Sequence, residues 1–198
     1  MPRPAAAAYA RSPFAKGCPI VDDDLRLMLG FREGNVRDFE ALMSRHQRSI
    51  INLAFRFIGD RAAAEDVAQE VFLQVFRSAA GYRPSASFTT WLYTIARNAC
   101  YSELRRRRLR PGSLDAEAGS QPAASPPANP VESAELRAAV RRAVASLPEA
   151  QRMAVILCRY DGLSYEQIAE AMNTSVGSVK SLLHRARLTL REALKDKC

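Results

Sequence analysis

The chain has 198 residues, 47% of them apolar, enough for one compact core or two small ones. Its 29 Lys and Arg outnumber 21 Asp and Glu, and the resulting net charge of +8 fits a polyanionic partner, of which nucleic acid is the commonest. Cys18, Cys100, Cys158 and Cys198 stand too far apart for metal-ligand spacing or a disulfide framework, and no apolar run reaches the length of a membrane span.

The opening MPRPAAAAYARSPFAKG has no continuous apolar segment of the signal-peptide kind, and residues 1–22 read as a flexible basic tail. DLRLMLGF predicts a short helix. In NVRDFEALMSRHQRSIINLAFRFIG, residues Phe39, Leu42, Met43, Ile50, Leu53 and Phe57 recur at three- and four-residue spacings, which predicts a long amphipathic helix with these side chains inward. Gly59 and Asp60 supply a stop and a new cap. RAAAEDVAQEVFLQVFRSA then repeats the period with Ala64, Val67, Val71, Phe72 and Val75. After the loop GYRPSAS, a further helix is expected from Phe88 to Leu109.

From Pro111 to Pro130 the text becomes PGSLDAEAGSQPAASPPANP, in which Leu114 is the one large apolar residue. Such a stretch cannot bury a core and reads as a linker, residues 111–131. Beyond it, ESAELRAAVRRAVASL stops at Pro148, which is suited to the first turn of the next helix, PEAQRMAVILCRY. Asp161 and Gly162 end that helix. Ser164 and Gln167 form a capping box for another, and a last helix begins near Ser175. No segment shows the period-two alternation of a strand. The expected fold is all-α: two small helical domains, 23–110 and 132–198, joined by a flexible linker.

The final two helices spell helix, turn, helix. Ile168, Ala169, Met172, Val176, Val179 and Leu183 are spaced to face inward, leaving Ser178, Lys180, Ser181, His184, Arg185 and Arg187 outward. A hydroxyl and cationic face on such a helix suits the DNA major groove, which admits one helix. The bland alternative is a solvated basic face. The run ELRRRRLR, residues 103–110, reads as a phosphate track, although cations also complement the macrodipole at a helix C-terminus. Beside it stand Tyr82, Phe88, Trp91, Tyr93 and Tyr101. Aromatics next to cations suit single-stranded DNA; core packing competes for Phe88 and Trp91, whereas Tyr82 in the loop is expected at the contact.

Asp66, Gln69 and Glu70 share one face of their helix without a histidine or third acid nearby. That pattern points to a solvated face or a docking stripe for a basic helix, and to no metal. Phosphate-cradling and nucleophile motifs are missing, and His46 and His184 have no partner at motif spacing. No catalytic residue and no cofactor are expected, so any DNA opening must be driven by binding energy.

Taken in order, AEDVAQEVFLQVF, SFTTWLYTIARNACYSELRRRR and SLPEAQRMAVILCRYDGLSYEQIAEAMNTSVGSVKSLLHRARLTLREAL resemble the extracytoplasmic function (ECF) group of the sigma-70 family, over residues 23–109 and 132–195. The resemblance implies a bacterial RNA polymerase specificity subunit with a sigma2 helical domain and a sigma4 helix-turn-helix domain. It implies that Asp66, Gln69 and Glu70 dock on the clamp helices of the polymerase's largest subunit. It implies further that the loop containing Tyr82, Arg83, Ser85 and Phe88 captures a flipped base of the minus 10 element, with Asn98 helping to read it. Arg97, Arg105 and Arg106, with the rest of the arginine run, are then expected at the nearby backbone. Lys180, Ser181, His184 and Arg185 fall where the family meets the minus 35 element, with Ser178 and Arg187 near phosphates. Leu182 stands where many relatives carry arginine, and Ser85 where an acid is often seen. The implied partners are core RNA polymerase, promoter DNA as duplex and as melted non-template strand, and an anti-sigma factor; the implied location is cytoplasmic, without membrane insertion. A stand-alone helix-turn-helix regulator is the rival, and it predicts duplex binding without polymerase.

Overall fold

The computed structural model describes residues 20–82, 87–109 and 130–195. These residues form helices α1 (Ile20–Arg32), α2 (Val36–Ile58), α3 (Arg61–Ser78), α4 (Phe88–Leu109), α5 (Pro130–Ala145), α6 (Glu149–Arg159), α7 (Tyr165–Ala171) and α8 (Val176–Ala193), with a short 3-10 turn at Ala79–Gly81. No strand occurs among the described residues. Two boundaries differ from the sequence reading. α1 begins at Ile20, inside the segment read as tail, and α5 begins at Pro130, inside the expected linker. Proline is suited to a first helical turn because the N–H it lacks has no intrahelical partner there. Residues 1–19 and 110–129, with most of the expected tail and linker, lie outside the described residues.

Local chemistry sets the helix ends. Gly59 terminates α2 in the left-handed conformation, φ +87°, where a side chain would be strained. Asp60 then caps α3, its carboxylate accepting the Ala63 N–H at 2.9 Å. That amide and Arg107 of α4, 3.1 Å away, hold the Asp60 carboxyl below the usual carboxylate range, so one residue starts α3 and ties it to the end of α4. The capping box forms as expected: Gln167 N–H donates to Ser164 Oγ at 3.2 Å and Ser164 N–H to Gln167 Oε1 at 2.9 Å. Ser175 caps α8 by accepting the Ser178 N–H at 3.1 Å.

The first four helices bury Met28, Leu42, Ile50, Leu53, Phe57, Val71, Val75 and Leu92, and the last four bury Leu147, Met153, Ile156, Leu157, Ile168 and Val179. Met43, expected inward, is instead 36% exposed. It sits at the edge of a stripe wider than the surface its neighbours cover.

The two halves pack together, α6 against α2 and α7 against α4, and their buried side chains form one continuous apolar cluster. Polar contacts cross the seam. Tyr93 Oη donates to Asp161 Oδ1 at 3.1 Å, Arg97 Nη1 to the Ala171 carbonyl at 3.2 Å, and Arg152 Nη1 to the Phe57 carbonyl at 2.9 Å. Arg108 pairs with Glu149, and the Arg56 guanidinium lies 4.3 Å over the Tyr160 ring. The seam is incompletely satisfied: Arg56 Nε, Arg152 Nε and Asp161 Oδ2 are buried without a hydrogen-bond partner. Buried polar atoms left unpaired weaken a contact.

Candidate nucleic-acid and docking site

On α8 the inward set packs as its spacing requires. Val179 and Ala186 are buried, as are Ile168 and Ala169 on α7, while Met172, Val176 and Leu183 are half-buried. This fixes α8 against α7 and leaves Ser178, Lys180, Ser181, His184, Arg185 and Arg187 exposed along one side. Ser178 shares a 3.0 Å hydrogen bond with Ser175, and Ser181 donates to the Gly177 carbonyl at 3.0 Å. Each hydroxyl is thus oriented and still has accepting capacity toward solvent.

The candidate strand-reading face of α4 is largely covered by the second half of the chain. Asn98 and Arg105 are exposed, but with Tyr101 and Ser102 they line one wall of a cavity of about 570 Å³ whose opposite wall is Met172, Asn173, Thr174 and Leu182. Arg97 is half-buried through its bond to Ala171. The arginine run is not a uniform phosphate track. Arg106 pairs with buried Glu103 at 2.5 Å; Arg107 pairs with Glu103 at 2.9 Å and with Asp60, and its side chain is only 22% exposed. Arg108 holds Glu149. Among the described residues, Arg105 is the member of the run that holds no carboxylate.

The aromatic cluster corrects an expectation. Tyr82 is 3% exposed and Phe88 1%, so neither offers its ring to a base in this structure. Both lie where α1, α2 and α4 meet, Tyr82 packing 5.0 Å from Trp91 and Phe88 6.0 Å from it, centroid to centroid. Rings this large gain more by burial against one another than an exposed loop provides. Trp91 is the half-buried member. Arg83 and Ser85, between Tyr82 and Phe88, lie outside the described residues.

Asp66, Gln69 and Glu70 are exposed on α3. Asp66 and Glu70 form one wall of a groove completed by Asn98, Ser102 and Arg106 of α4. Gln69 faces the other side of the same ridge, into an apolar groove lined by Phe39, Met43, Phe72, Leu73 and Phe76. Leu73 and Phe76 are 49% and 50% exposed, unusual for side chains of that size. They escape a reading confined to charged residues, yet they follow Gln69 by four and seven residues, which puts them on its side of α3. A polar ridge beside an exposed apolar groove has the composition of a protein-docking surface.

Among the described residues, no three of His, Cys, Asp and Glu converge, and no helix is long and apolar enough to cross a membrane. Burial pushes the Cys100 thiol up to about 12, while Cys158 is a half-buried free thiol. Cys18 and Cys198 lie outside the described residues.

Comparison with known proteins fits this geometry. Residues 42–110 match the family model of sigma-70 region 2, and residues 137–190 match that of sigma-70 region 4. The chain is 34% identical to the RNA polymerase sigma-H factor of Pseudomonas aeruginosa, over 88% of this chain and 95% of that protein. It is 38% identical to the ECF RNA polymerase sigma-E factor of Escherichia coli, over 84% of this chain and 89% of that protein. Its fold superposes on the sigma factor RpoE of Bartonella quintana, solved with the anti-sigma factor NepR, with a TM-score of 0.67 and 26% identity, over 80% of this chain and 98% of that one. With one half of the chain matching region 2, the other matching region 4, and ECF relatives aligning across nearly the whole length, the chain belongs to the ECF group of the sigma-70 family, the specificity subunits of bacterial RNA polymerase.

Proposed function

We propose that this chain docks on core RNA polymerase through Asp66, Gln69 and Glu70 with the neighbouring Leu73 and Phe76 groove, reads the minus 35 element with α8, and captures the minus 10 strand with the segment between Tyr82 and Phe88 and with Asn98. The observation that carries the reading is the pairing, in one chain, of an exposed hydroxyl and cationic recognition helix with an acidic and apolar docking ridge. The same reading puts the chain in the cytoplasm, with an anti-sigma factor as a further partner.

The packed arrangement is not the one that reads a promoter. Elements centred about 25 base pairs apart lie about 85 Å apart along B-DNA, at about 3.4 Å per pair. A compact chain of this length is only about 40 Å across. The two halves must therefore part on promoter DNA, which frees Arg97 from Ala171 and removes the wall that faces Asn98 and Arg105. The linker then holds the second contact at high effective concentration once the first is made. Capturing a base costs a few kcal/mol of unstacking, which binding energy offsets without a nucleotide motor.

Reconstituted transcription with core polymerase on genomic fragments tests the reading. Discrete starts that depend on the chain and share two upstream elements are expected. A chain that shifts duplex DNA alone and fails to bind core polymerase is instead a stand-alone regulator. Two variants separate the DNA contacts. Arg185→Ala is expected to weaken minus 35 duplex binding by about 1 to 3 kcal/mol while sparing polymerase binding, as measured by a mobility shift of the holoenzyme. Asn98→Ala is expected to reduce permanganate reactivity of the melted region more than it reduces duplex binding; equal losses would contradict a role in opening.

A further inference from the structure

Asp24 of α1 is a fully buried carboxylate, held from α2 on both oxygens. His46 Nε2 lies 2.8 Å from Oδ2, and the Arg45 guanidinium bonds Oδ1 and reaches on to Asp23 at 2.5 Å. A carboxylate only accepts, so Nε2 of His46 carries the proton in this contact. Burying an acid costs free energy that its partners must offset, and an apolar group of the same volume usually serves stability as well or better. Stability alone therefore does not account for Asp24.

The surroundings of the cluster do. The His46 ring packs 5.5 Å from the ring of Phe88, the first residue of α4. The Phe88 ring in turn lies 6.4 Å from that of Tyr82. Arg32, in the last turn of α1, donates Nη1 to the Tyr82 carbonyl at 3.2 Å. The cluster thus touches Phe88 through His46 while Arg32 holds Tyr82, and these two residues bracket the segment assigned above to base capture. We propose that Asp24, His46 and Arg45, together with Arg32, form a positioning device that fixes Tyr82 and Phe88 so that a captured base meets a segment with its ends already set. The proposal rests on the base-capture reading. Ordering the ends beforehand removes a conformational-entropy cost from the capture step. It also gives Tyr82 and Phe88 a part in strand recognition that needs no contact with DNA.

The test uses holoenzyme assembled from core polymerase and the full chain. The probe is a fluorescent single-stranded oligonucleotide carrying the minus 10 element identified by transcript mapping, compared with a scrambled strand. His46→Leu and Arg32→Ala are expected to leave holoenzyme assembly unchanged and to weaken oligonucleotide binding by about tenfold, the cost of re-fixing about one residue. His46→Gln, which retains a donor toward Asp24, is expected to recover most of the affinity. Arg32 is exposed, so Arg32→Ala folds even where His46→Leu does not, and it decides the matter alone in that case. Oligonucleotide binding within twofold of the parent, with assembly intact, overturns the proposal, as does equal loss of assembly and strand binding, which marks a structural role only. A parent holoenzyme that does not prefer the minus 10 strand over the scrambled one removes the base-capture reading, and the proposal with it. That result is distinguishable because it appears without any substitution.

Discussion

Replacing Asp66 and Glu70 together by alanine is expected to lower affinity for core RNA polymerase by about a hundredfold to ten-thousandfold and to abolish promoter-dependent transcription at limiting concentration. Both carboxylates stand exposed on adjacent turns of α3, in a position to accept hydrogen bonds from a basic partner. A hydrogen bond to a charged group contributes about 1.5 to 3 kcal/mol, so the pair contributes about 3 to 6 kcal/mol. The fold has little stake in either side chain: both are exposed, and Glu70 makes only a long 3.7 Å contact with exposed Arg77. Substitutions at such positions change stability by about 0.5 kcal/mol or less, so the double variant should melt with the parent. Competition between parent and variant for core polymerase checks the prediction. An affinity within threefold of the parent would show that the ridge is not the docking surface. Leu73→Ser extends the test to the apolar side of the ridge and is expected to act in the same direction.

Asp161→Asn is expected to hold the two halves of the chain together more tightly at neutral pH and to reduce transcription by the holoenzyme. Burial at the seam pushes the Asp161 carboxyl up to about 6 from its ordinary 3.8, against the opposing effects of the Tyr93 hydroxyl bond and the Arg56 charge. A group whose pKa is raised in the packed form favours that form when protonated. The contribution of Asp161 to packing is therefore fully present below pH about 4 and is lost as pH rises through about 6. At pH 7 the ionised carboxylate opposes packing by up to about 3 kcal/mol, at about 1.4 kcal/mol per pH unit between the two values. Asparagine is neutral at every pH and still accepts the Tyr93 proton. The variant should melt higher than the parent at pH 7, by several degrees at about 2 to 4 °C per kcal/mol for a chain of this size, and the two should converge toward pH 4. A parent whose stability does not fall between pH 4 and 6 relative to the variant would place Asp161 outside the balance between packed and parted forms.

The packing of the seam suits the parting proposed above. Apolar side chains of both halves meet there, yet three buried polar atoms have no hydrogen-bond partner, one of them on the Asp161 carboxylate, which is ionised at neutral pH. Such a contact is weaker than its area implies.

Much of the site was legible in local pattern. The three- and four-residue periods of α2, α3 and α8 follow from 3.6 residues per turn, so the sides of α8 could be assigned from spacing. The capping box at Ser164 and Gln167 and the stop at Gly59 depend on neighbours within four residues, and they formed as read. Tyr82 reads as a loop contact in the sequence but is buried in the fold, because its burial depends on α1 and α2, which are distant in sequence. The exposure of Leu73 and Phe76 is not legible in the sequence, because an apolar residue on a helix reads as inward unless the area available to cover it is known.

Local period, capping and ordered motifs suffice for the helices, most of their inward faces, the exposed hydroxyl and cationic face of α8 and the sigma-70 membership. The tertiary packing is needed to bring Arg107 to Asp60, Arg108 to Glu149, Arg97 to the Ala171 carbonyl and His46 against Phe88. Those pairings join residues on separate helices, and a charge acquires its partner and its desolvation only when the helices that carry it are packed.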